Sequence, residues 1–206
     1  MSSPAPGQIV YVVDDEEAVA DSIAMLLKSV GLQTRTFADA RDFLAQYKPE
    51  MSGCLLLDVR MPKMGGLELQ EELNRQRCVL PVIFITGHGD VPMAVEAMRA
   101  GAMDFLQKPF NGDELIRRVQ RALEEESQQR ELLRQREEIE RRWEELTERE
   151  REVARRITDG QANKVAAAEL GISERTVELH RARILQKMGV RSLAQLVRLI
   201  LTLQGA

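Results

Sequence analysis

The chain has 206 residues, of which 44% are hydrophobic, so it has room for two modest domains with packed cores. No apolar stretch reaches the roughly 20 residues of a membrane span, and the N-terminus lacks the basic and apolar regions of a secretion signal. Cys54 and Cys78 show no metal-ligand spacing with histidine, which favours a reducing compartment. These features predict a cytoplasmic protein with no membrane partner.

The formal net charge of −4 is unevenly distributed along the chain. Residues 160–206 carry seven Lys and Arg against three Asp and Glu, whereas residues 1–120 carry 12 against 17. A cationic end on an acidic protein indicates, weakly, a region that binds nucleic acid.

Strand and helix patterns alternate along the first 120 residues. Apolar runs at 9–13, 54–57 and 82–85 are short and uninterrupted, as in strands covered on both faces, and 33–37 and 103–107 are two further candidates. A helical pattern follows each of the five strands. This alternation predicts an α/β, doubly wound, five-stranded parallel sheet over residues 1–120.

Residues 121–146 differ in composition from the segment before them. Glu and Arg dominate, Gly and Pro are absent, and pairs such as Glu137 and Arg141 lie four residues apart. We predict that the fifth helix continues as a solvated helical linker. A partial apolar seam through Leu132 and Ile139 supports a short coiled coil about equally well.

Four short helices are predicted in residues 147–206, which form an all-α domain. Thr147 and Glu150 have the spacing of a capping box, so a new helix begins there. The second helix is expected to follow Asn163 and the third to follow Ser173. Their short connection through Gly171 predicts a helix-turn-helix.

Polar residues stand where the predicted strands of the first domain end. They are Asp14, Asp15, Asp58, Thr86 and Lys108. Each has an ordinary alternative explanation, as a helix cap, a turn residue, a polar strand end or a surface lysine. Because the carboxyl ends of parallel strands meet at one edge of a sheet, we expect all five to converge.

This group of residues suits a phosphoryl group on a carboxylate. Asp58, on the central strand, is the candidate nucleophile and phosphoacceptor. Asp15, with Asp14 partly through water, would hold Mg²⁺, which prefers carboxylate oxygens. Lys108 would neutralise a phosphoryl oxygen, and Thr86 would hydrogen-bond the phosphoryl group.

Residues 8–122 resemble the receiver domain of bacterial response regulators. The matching segments are VVDDE at 12–16, LDVRMPKMGG at 57–66, ITGHG at 85–89 and KPF at 108–110. The resemblance implies a flavodoxin-like fold and phosphorylation by a sensor histidine kinase. It also implies Mg²⁺ bound by Asp15, Asp58 and the backbone carbonyl of Arg60, and a cis peptide at Lys108–Pro109.

The same resemblance places Phe105 at an aromatic switch position. Thr86 would move toward the new phosphoryl group and vacate space that Phe105 fills, which would alter the surface formed by residues 91–101 and 103–107. We expect that surface to form a homodimer in the phosphorylated protein. Without the five-residue site, Phe105 would be read as an ordinary core aromatic.

The helix after Ser173 has two distinct sides at helical spacing. Val177, His180, Ile184 and Met188 share the side expected to pack inward, with His180 hydrogen-bonded there. The opposite side carries residue types that read base edges in the major groove, namely Arg175, Glu178, Leu179, Ala182, Arg183 and Gln186. The flanking residues Lys164, Thr176, Arg181 and Lys187 could reach phosphates. The alternative is a solvated helix of a bundle.

Residues 144–204 resemble the LuxR-type helix-turn-helix domain, through LTEREREV at 146–153, NK at 163–164 and SERTVELH at 173–180. The whole chain therefore resembles a FixJ-type response regulator. Such proteins are transcription factors, usually activators, that bind double-stranded DNA as dimers and work with RNA polymerase. The linker is longer than is common, which leaves open whether the receiver masks the DNA-binding face.

Two other classes fit the sequence less well. An aspartyl-phosphate hydrolase of the haloacid-dehalogenase kind would carry an Asp-x-Asp nucleophile after the first strand and a cap insertion, whereas this chain has adjacent Asp14 and Asp15 there. The other class is a nucleotide-binding or purely structural protein, and its nucleotide-binding version is disfavoured because no Gly-rich turn opens the first helix. We therefore expect a regulator and no enzyme, with any loss of phosphate from Asp58 self-directed.

Overall fold

The computed structural model describes residues 7–87 and 91–204. The chain forms two compact units, Met1–Arg130 and Glu131–Ala206. Each unit is described separately below.

The first unit contains a five-stranded sheet with the order β2-β1-β3-β4-β5, and every neighbouring pair is parallel. The strands are β1 (Ile9–Val13), β2 (Thr34–Phe37), β3 (Gly53–Asp58), β4 (Val82–Thr86) and β5 (Asp104–Gln107). Each lies within one residue of its predicted ends, and the predicted doubly wound parallel sheet is confirmed.

Helices cover both faces of this sheet, which explains the uninterrupted apolar strands. They are α1 (Glu17–Ser29), α2 (Ala40–Gln46), α3 (Gly66–Arg75), α4 (Val91–Arg99) and α5 (Gly112–Glu144). Successive residues of a strand point to opposite faces of the sheet and pack into two separate hydrophobic cores. Cys54 and Leu56 face the core shared with α1 and α5, and Leu55 and Leu57 face the core shared with α2, α3 and α4.

The start of β3 requires a glycine. Gly53 has a φ of +136°, and a Cβ there would lie 1.8 Å from the carbonyl oxygen of Ile9 on β1. Only a residue without a side chain lets the two strands approach this closely. Cys54 is buried in β3 and Cys78 lies in the loop after α3, and both are free thiols.

The second unit is helical, as predicted. The end of α5 is followed by α6 (Glu148–Thr158), α7 (Asn163–Leu170), α8 (Glu174–Lys187) and α9 (Leu193–Gln204). Its core includes Ile139 and Leu146 from the predicted linker. The predicted apolar seam is therefore divided, because Ile139 is buried in this core whereas Leu132 is 62% exposed.

One predicted helix start is shifted. The N-cap of α7 is Ala162, and Asn163 is the first helical residue. The side chain of Asn163 does not cap the helix, because its Oδ1 accepts a hydrogen bond from Arg181 on α8 at 2.6 Å.

The capping box at the start of α6 is confirmed. Thr147 Oγ1 accepts from the Glu150 backbone N–H at 3.2 Å, and Glu150 Oε2 accepts from the Thr147 backbone N–H at 2.9 Å. Lys187 Nζ donates to the same Glu150 oxygen at 2.7 Å. The buried carboxylate therefore joins α6 to α8.

The burial and ion pairing of Glu150 predict that the stability of the second unit falls in acid. Burial alone would raise the pKa of Glu150, but the bonds from Lys187 and Thr147 hold that pKa below its ordinary value of 4.5. The ionised side chain therefore stabilises the fold above pH 4.5, and this stabilisation is lost as the pH falls through the folded pKa. We expect Glu150→Gln to lower the free energy of unfolding by about 1–3 kcal/mol at neutral pH and to flatten its acid dependence.

Urea unfolding of the full chain, followed by the fluorescence of its single tryptophan, Trp143, checks this expectation, because Trp143 packs against the core of the second unit. Glu148→Gln is the control, since Glu148 is exposed in the same helical turn. An equal acid dependence in the wild-type chain and Glu150→Gln would contradict the expectation.

Within residues 7–87 and 91–204, no helix combines the length and the apolar character needed to cross a bilayer.

Candidate functional site

The polar residues predicted to converge lie at the carboxyl edge of the sheet. Asp58 ends β3 and pairs in register with Ile85 of β4, and Thr86 ends β4 opposite Gln107 of β5. Asp14 directly follows β1. The crossover topology therefore places groups from distant parts of the chain side by side.

Lys108 joins the two buried carboxylates of this edge. Its Nζ lies 2.8 Å from Asp14 Oδ2 and 3.0 Å from Asp58 Oδ1. Asp14 is 2% exposed and Asp58 7% exposed, so both ion pairs are largely removed from water. Glu16 Oε1, which the sequence reasoning did not single out, is also 3.9 Å from this ammonium.

Backbone N–H groups hold the second oxygen of each carboxylate. Asp58 Oδ2 accepts from the N–H of Arg60 at 2.8 Å, and Asp14 Oδ1 accepts from the N–H of Glu16 at 3.0 Å. Both oxygens of each carboxylate therefore have a hydrogen-bond or ion-pair partner, which fixes the orientation of the carboxylate before any ligand binds.

The electrostatics of the group follow from its burial. Desolvation raises the pKa of Asp58 above its ordinary value, and the hydrogen bond from Lys108 offsets this only in part. For Lys108, desolvation would lower the pKa, but the hydrogen bonds to Asp14 and Asp58 raise it. Asp58 is thus a poorly solvated carboxylate kept next to a cation, which favours reaction with an electrophilic phosphorus.

The N-terminus of α3 packs directly beneath Asp58. A Cβ on Gly66 would lie 2.2 Å from the carbonyl oxygen of Asp58 and 2.9 Å from Cε1 of Phe84. Gly66, the second glycine of the sequence motif, therefore allows the helix to start against the backbone of Asp58.

The ion pairs of Lys108 are with Asp14, Asp58 and Glu16, whereas Asp15 follows Asp14 in the chain with an exposed side chain. Among residues 7–87 and 91–204, no set of three or more His, Cys, Asp or Glu side chains is close enough to hold a metal ion. The donor chemistry nevertheless fits Mg²⁺, because two carboxylates at this edge, Asp14 and Asp58, are already oriented and offer the oxygen ligands that this ion prefers.

The other residues singled out by the resemblance to receiver domains lie near the same edge. Thr86 is 2% exposed, and its carbonyl accepts from the N–H of Lys108 at 2.7 Å. Phe105 is half-buried, with its ring centroid 6.5 Å from that of Phe84. The peptide between Lys108 and Pro109 is cis, as expected. His88 and Gly89 of the sequence motif lie outside the described residues.

The second unit presents α8 with the two sides that the sequence predicted. Val177, Ile184 and Met188 are fully buried against the other helices. The opposite side is open to solvent along its length, at Arg175, Glu178, Leu179, Ala182, Arg183 and Gln186. His180 is half-buried on the inner side, but its Nδ1 has no hydrogen-bond partner within the described part of the chain.

The four residues predicted to flank this side differ in their surroundings. Lys164 is exposed at the start of α7. The Thr176 hydroxyl is 2.8 Å from the hydroxyl of Ser173, Arg181 donates to Asn163, and Lys187 pairs with Glu150. Three of the four thus have polar partners inside the unit.

Comparison with known proteins assigns both units. Residues 10–120 match the response regulator receiver domain, and residues 144–200 match the luxR family of bacterial regulatory proteins. Nodulation protein W of Bradyrhizobium diazoefficiens is 44% identical over 95% of this chain and 86% of its own length. Transcriptional regulatory protein FixJ of Azorhizobium caulinodans is 46% identical over 93% of this chain and 91% of its own length.

Solved structures agree with these relatives. The response regulator StyR is 44% identical, covers 94% of this chain and 98% of its own, and superposes with a TM-score of 0.87. Full-length FixJ from B. japonicum is 39% identical, with coverage of 98% and 100% and a TM-score of 0.60. The chain therefore belongs to the FixJ-type bacterial response regulators, two-component transcriptional regulators that join a receiver domain to a LuxR-type helix-turn-helix DNA-binding domain.

Proposed function

We propose that Asp58 accepts a phosphoryl group from a sensor histidine kinase, and that this event controls homodimerisation and DNA binding. The receiver would comprise residues 1–120 and the DNA-binding domain residues 147–206. Residues 121–146 would be the helical linker, whose last turns pack in the core of the second unit. The observation that carries the proposal is the bridge from Lys108 to Asp58 and Asp14, which keeps a buried carboxylate oriented and next to a cation.

The transfer needs an electrophilic phosphorus and little rearrangement of the protein. A carboxylate oxygen of Asp58 attacks the phosphorus, a P–O bond forms, and the P–N bond to the donor histidine breaks with its electron pair left on the imidazole. Lys108 stays beside the new group as a counter-charge, and the Thr86 hydroxyl donates a hydrogen bond to one of its oxygens. The product is an acyl phosphate that carries close to two negative charges, where the ionised carboxylate carried one.

Receiver domains use Mg²⁺ for this reaction, and the residues here suit that ion. Asp14, Asp15, Asp58 and the backbone carbonyl of Arg60 would hold it. When bound, the ion supplies positive charge that offsets the negative charge gathered at phosphorus. Asp14 and Asp58 are already oriented by backbone N–H groups, whereas the exposed Asp15 is free to turn toward the site.

The response to phosphorylation begins at Thr86 and Phe105. Thr86 moves toward the phosphoryl group, and the half-buried ring of Phe105 turns inward into the vacated space. Both residues lie on the strands next to α4, whose exposed surface includes Val95 and Met98. Apolar side chains on that surface favour its use as the homodimer contact in the phosphorylated chain.

The output is sequence-specific binding of double-stranded DNA through α8, in activation of transcription together with RNA polymerase. The exposed side of α8 mixes arginine, glutamate, glutamine and small or apolar residues, which are the types that discriminate base edges and thymine methyl groups. A dimer would present two such helices to paired half-sites.

Phosphorylation should convert the chain from monomer to dimer and tighten its binding to specific genomic sites. Sedimentation at micromolar protein, with and without acetyl phosphate and Mg²⁺, measures the first effect. Footprinting of genomic DNA under the same two conditions measures the second. A phosphorylated chain that stays monomeric and gives an unchanged footprint would refute the proposed control.

A further inference from the structure

The C-terminal end of α8 rests against the last turns of α5. Helix α8 ends at Lys187, Met188 is its C-cap and Gly189 follows with a φ of +68°. Carbonyl groups at the end of a helix lack intrahelical donors and must find others. Here one donor comes from the linker helix, because Arg142 Nη1 donates to the Met188 carbonyl oxygen at 3.2 Å.

Arg142 is itself held in place from within α5. Its Nε donates to Glu138 Oε1 at 2.7 Å, which directs the other end of the guanidinium toward α8. The fit there is tight, since a Cβ on Gly189 would lie 2.6 Å from Arg142 Nη1. The glycine thus provides both the left-handed turn and the room for the arginine.

A second contact joins the same two elements in the opposite sense. Lys187 Nζ donates to the backbone carbonyl of Glu145 at 3.1 Å, just past the end of α5, and also pairs with the buried Glu150. The end of α5 and the end of α8 therefore each receive a cation from the other. Cations near helix C-termini are stabilised by the helix dipole.

Apolar packing supports these polar contacts. Ile139 and Leu146 are buried in the core that also contains Ile184 and Met188 of α8, and Trp143 packs against it. In sequence, residues 138–146 read as a solvated linker. In the structure they form part of the DNA-binding unit.

We propose that Arg142 is a positioning residue for DNA recognition, which with Lys187 and the Glu145 carbonyl braces the C-terminal end of α8. The brace fixes the orientation at which α8 presents its exposed side to a groove. The inference rests on the proposed role of α8 as the recognition helix. It also gives the linker a function, because the helix that begins at Gly112 in the receiver is the one that ends in this brace.

Arg142→Met tests the brace, with Arg141→Met as a matched control. Both changes remove one arginine from the same turn, but Arg141 is 61% exposed and pairs only with Glu138 and Glu145 among the described residues. The probes are a duplex selected from a random-sequence pool by the wild-type chain and a scrambled duplex of the same length. Fluorescence anisotropy over a range of salt concentrations gives the affinities and salt slopes.

We expect Arg142→Met to weaken binding to the selected duplex about ten-fold or more relative to Arg141→Met. Binding to the scrambled duplex and the salt slope should match those of the control, because the proposal gives neither arginine a phosphate contact. A purely structural loss of folded protein would reduce binding to both duplexes in proportion. Equal affinities of the two variants for the selected duplex would overturn the inference.

Arg142→Lys decides the matter if Arg142→Met does not fold. Lysine keeps the charge, but its donors all lie on one nitrogen, so it lacks the planar fork with which Arg142 reaches Glu138 and Met188 together. A folded Arg142→Lys chain with reduced discrimination between the two duplexes supports the brace, and wild-type discrimination overturns it. A phosphorylated wild-type chain that selects no duplex would instead remove α8 as the recognition helix, and the brace's role with it.

Discussion

Asp58→Asn should abolish labelling of the chain by radioactive acetyl phosphate in the presence of Mg²⁺. Asparagine keeps the shape of the side chain but has no carboxylate oxygen to form an acyl phosphate. Lys108 keeps its partner Asp14, so the surrounding group remains in place. The expected result is incorporation reduced to background, measured by gel and scintillation counting.

The Asp58→Asn chain should be at least as stable as the wild-type chain, so that its loss of labelling cannot be attributed to unfolding. Burial raises the pKa of Asp58, so its ionised form costs stability at neutral pH relative to the unfolded chain. Replacing it with a neutral amide relieves that cost. We therefore expect an unchanged or higher thermal midpoint by circular dichroism.

Asp21→Asn is the control for this experiment, because Asp21 is exposed on α1. The Asp21→Asn chain should be labelled to the same extent as the wild-type chain. If Asp58→Asn remained labelled, the phosphoacceptor would have to be another carboxylate of the same edge. Asp14 is the first candidate, because it shares Lys108 with Asp58.

The sheet was predictable from its apolar sequence pattern, and its polar edge was predictable from the residues that stand at the ends of the strands. Strands such as β3 and β4 are covered on both faces, so they appear as uninterrupted apolar runs. Strand ends then identify Asp58 and Thr86 without knowledge of side-chain contacts. The bridge from Lys108 to Asp14 follows from topology, which brings together residues 94 apart in sequence.

Contacts that depend on helix packing could not be predicted in this way. Arg141 and Arg142 stand in the same Glu- and Arg-rich run, and nothing in their spacing separates them. Only the fold shows that one lies in solvent and the other caps α8. Lys187 was predicted as a phosphate contact from its place on the helix, yet its ammonium pairs with a glutamate 37 residues earlier.

Asp15 illustrates a different limit. Its position after β1 suggested a metal ligand, and the resemblance to receiver domains implied the same. The structure leaves its side chain exposed. A carboxylate that is oriented only by a bound cation can be recognised in the sequence only by its position at the end of a strand. The role of Asp15 as a metal ligand therefore stays a prediction.

Arg183→Ala should weaken binding to a selected duplex by about 1–3 kcal/mol, if the guanidinium contacts a base. Arg183 is exposed on the predicted reading side of α8, one turn from Leu179 and next to the equally exposed Ala182. Arginine donates two hydrogen bonds to guanine, so its removal should relax the preference at one position of the half-site. Anisotropy titrations against duplexes substituted at single positions measure both effects.

Salt dependence separates this result from a loss of charge alone. A base contact releases few counterions, so the slope of log affinity against log salt should stay near that of the wild-type chain; a phosphate contact would reduce it by about one and weaken all duplexes equally. Arg155→Ala is the control, because Arg155 is exposed on α6, outside the α7–α8 pair. If Arg183→Ala behaved like Arg155→Ala on every duplex, Arg183 would make no base contact, and reading would have to rest on the other exposed residues of that side.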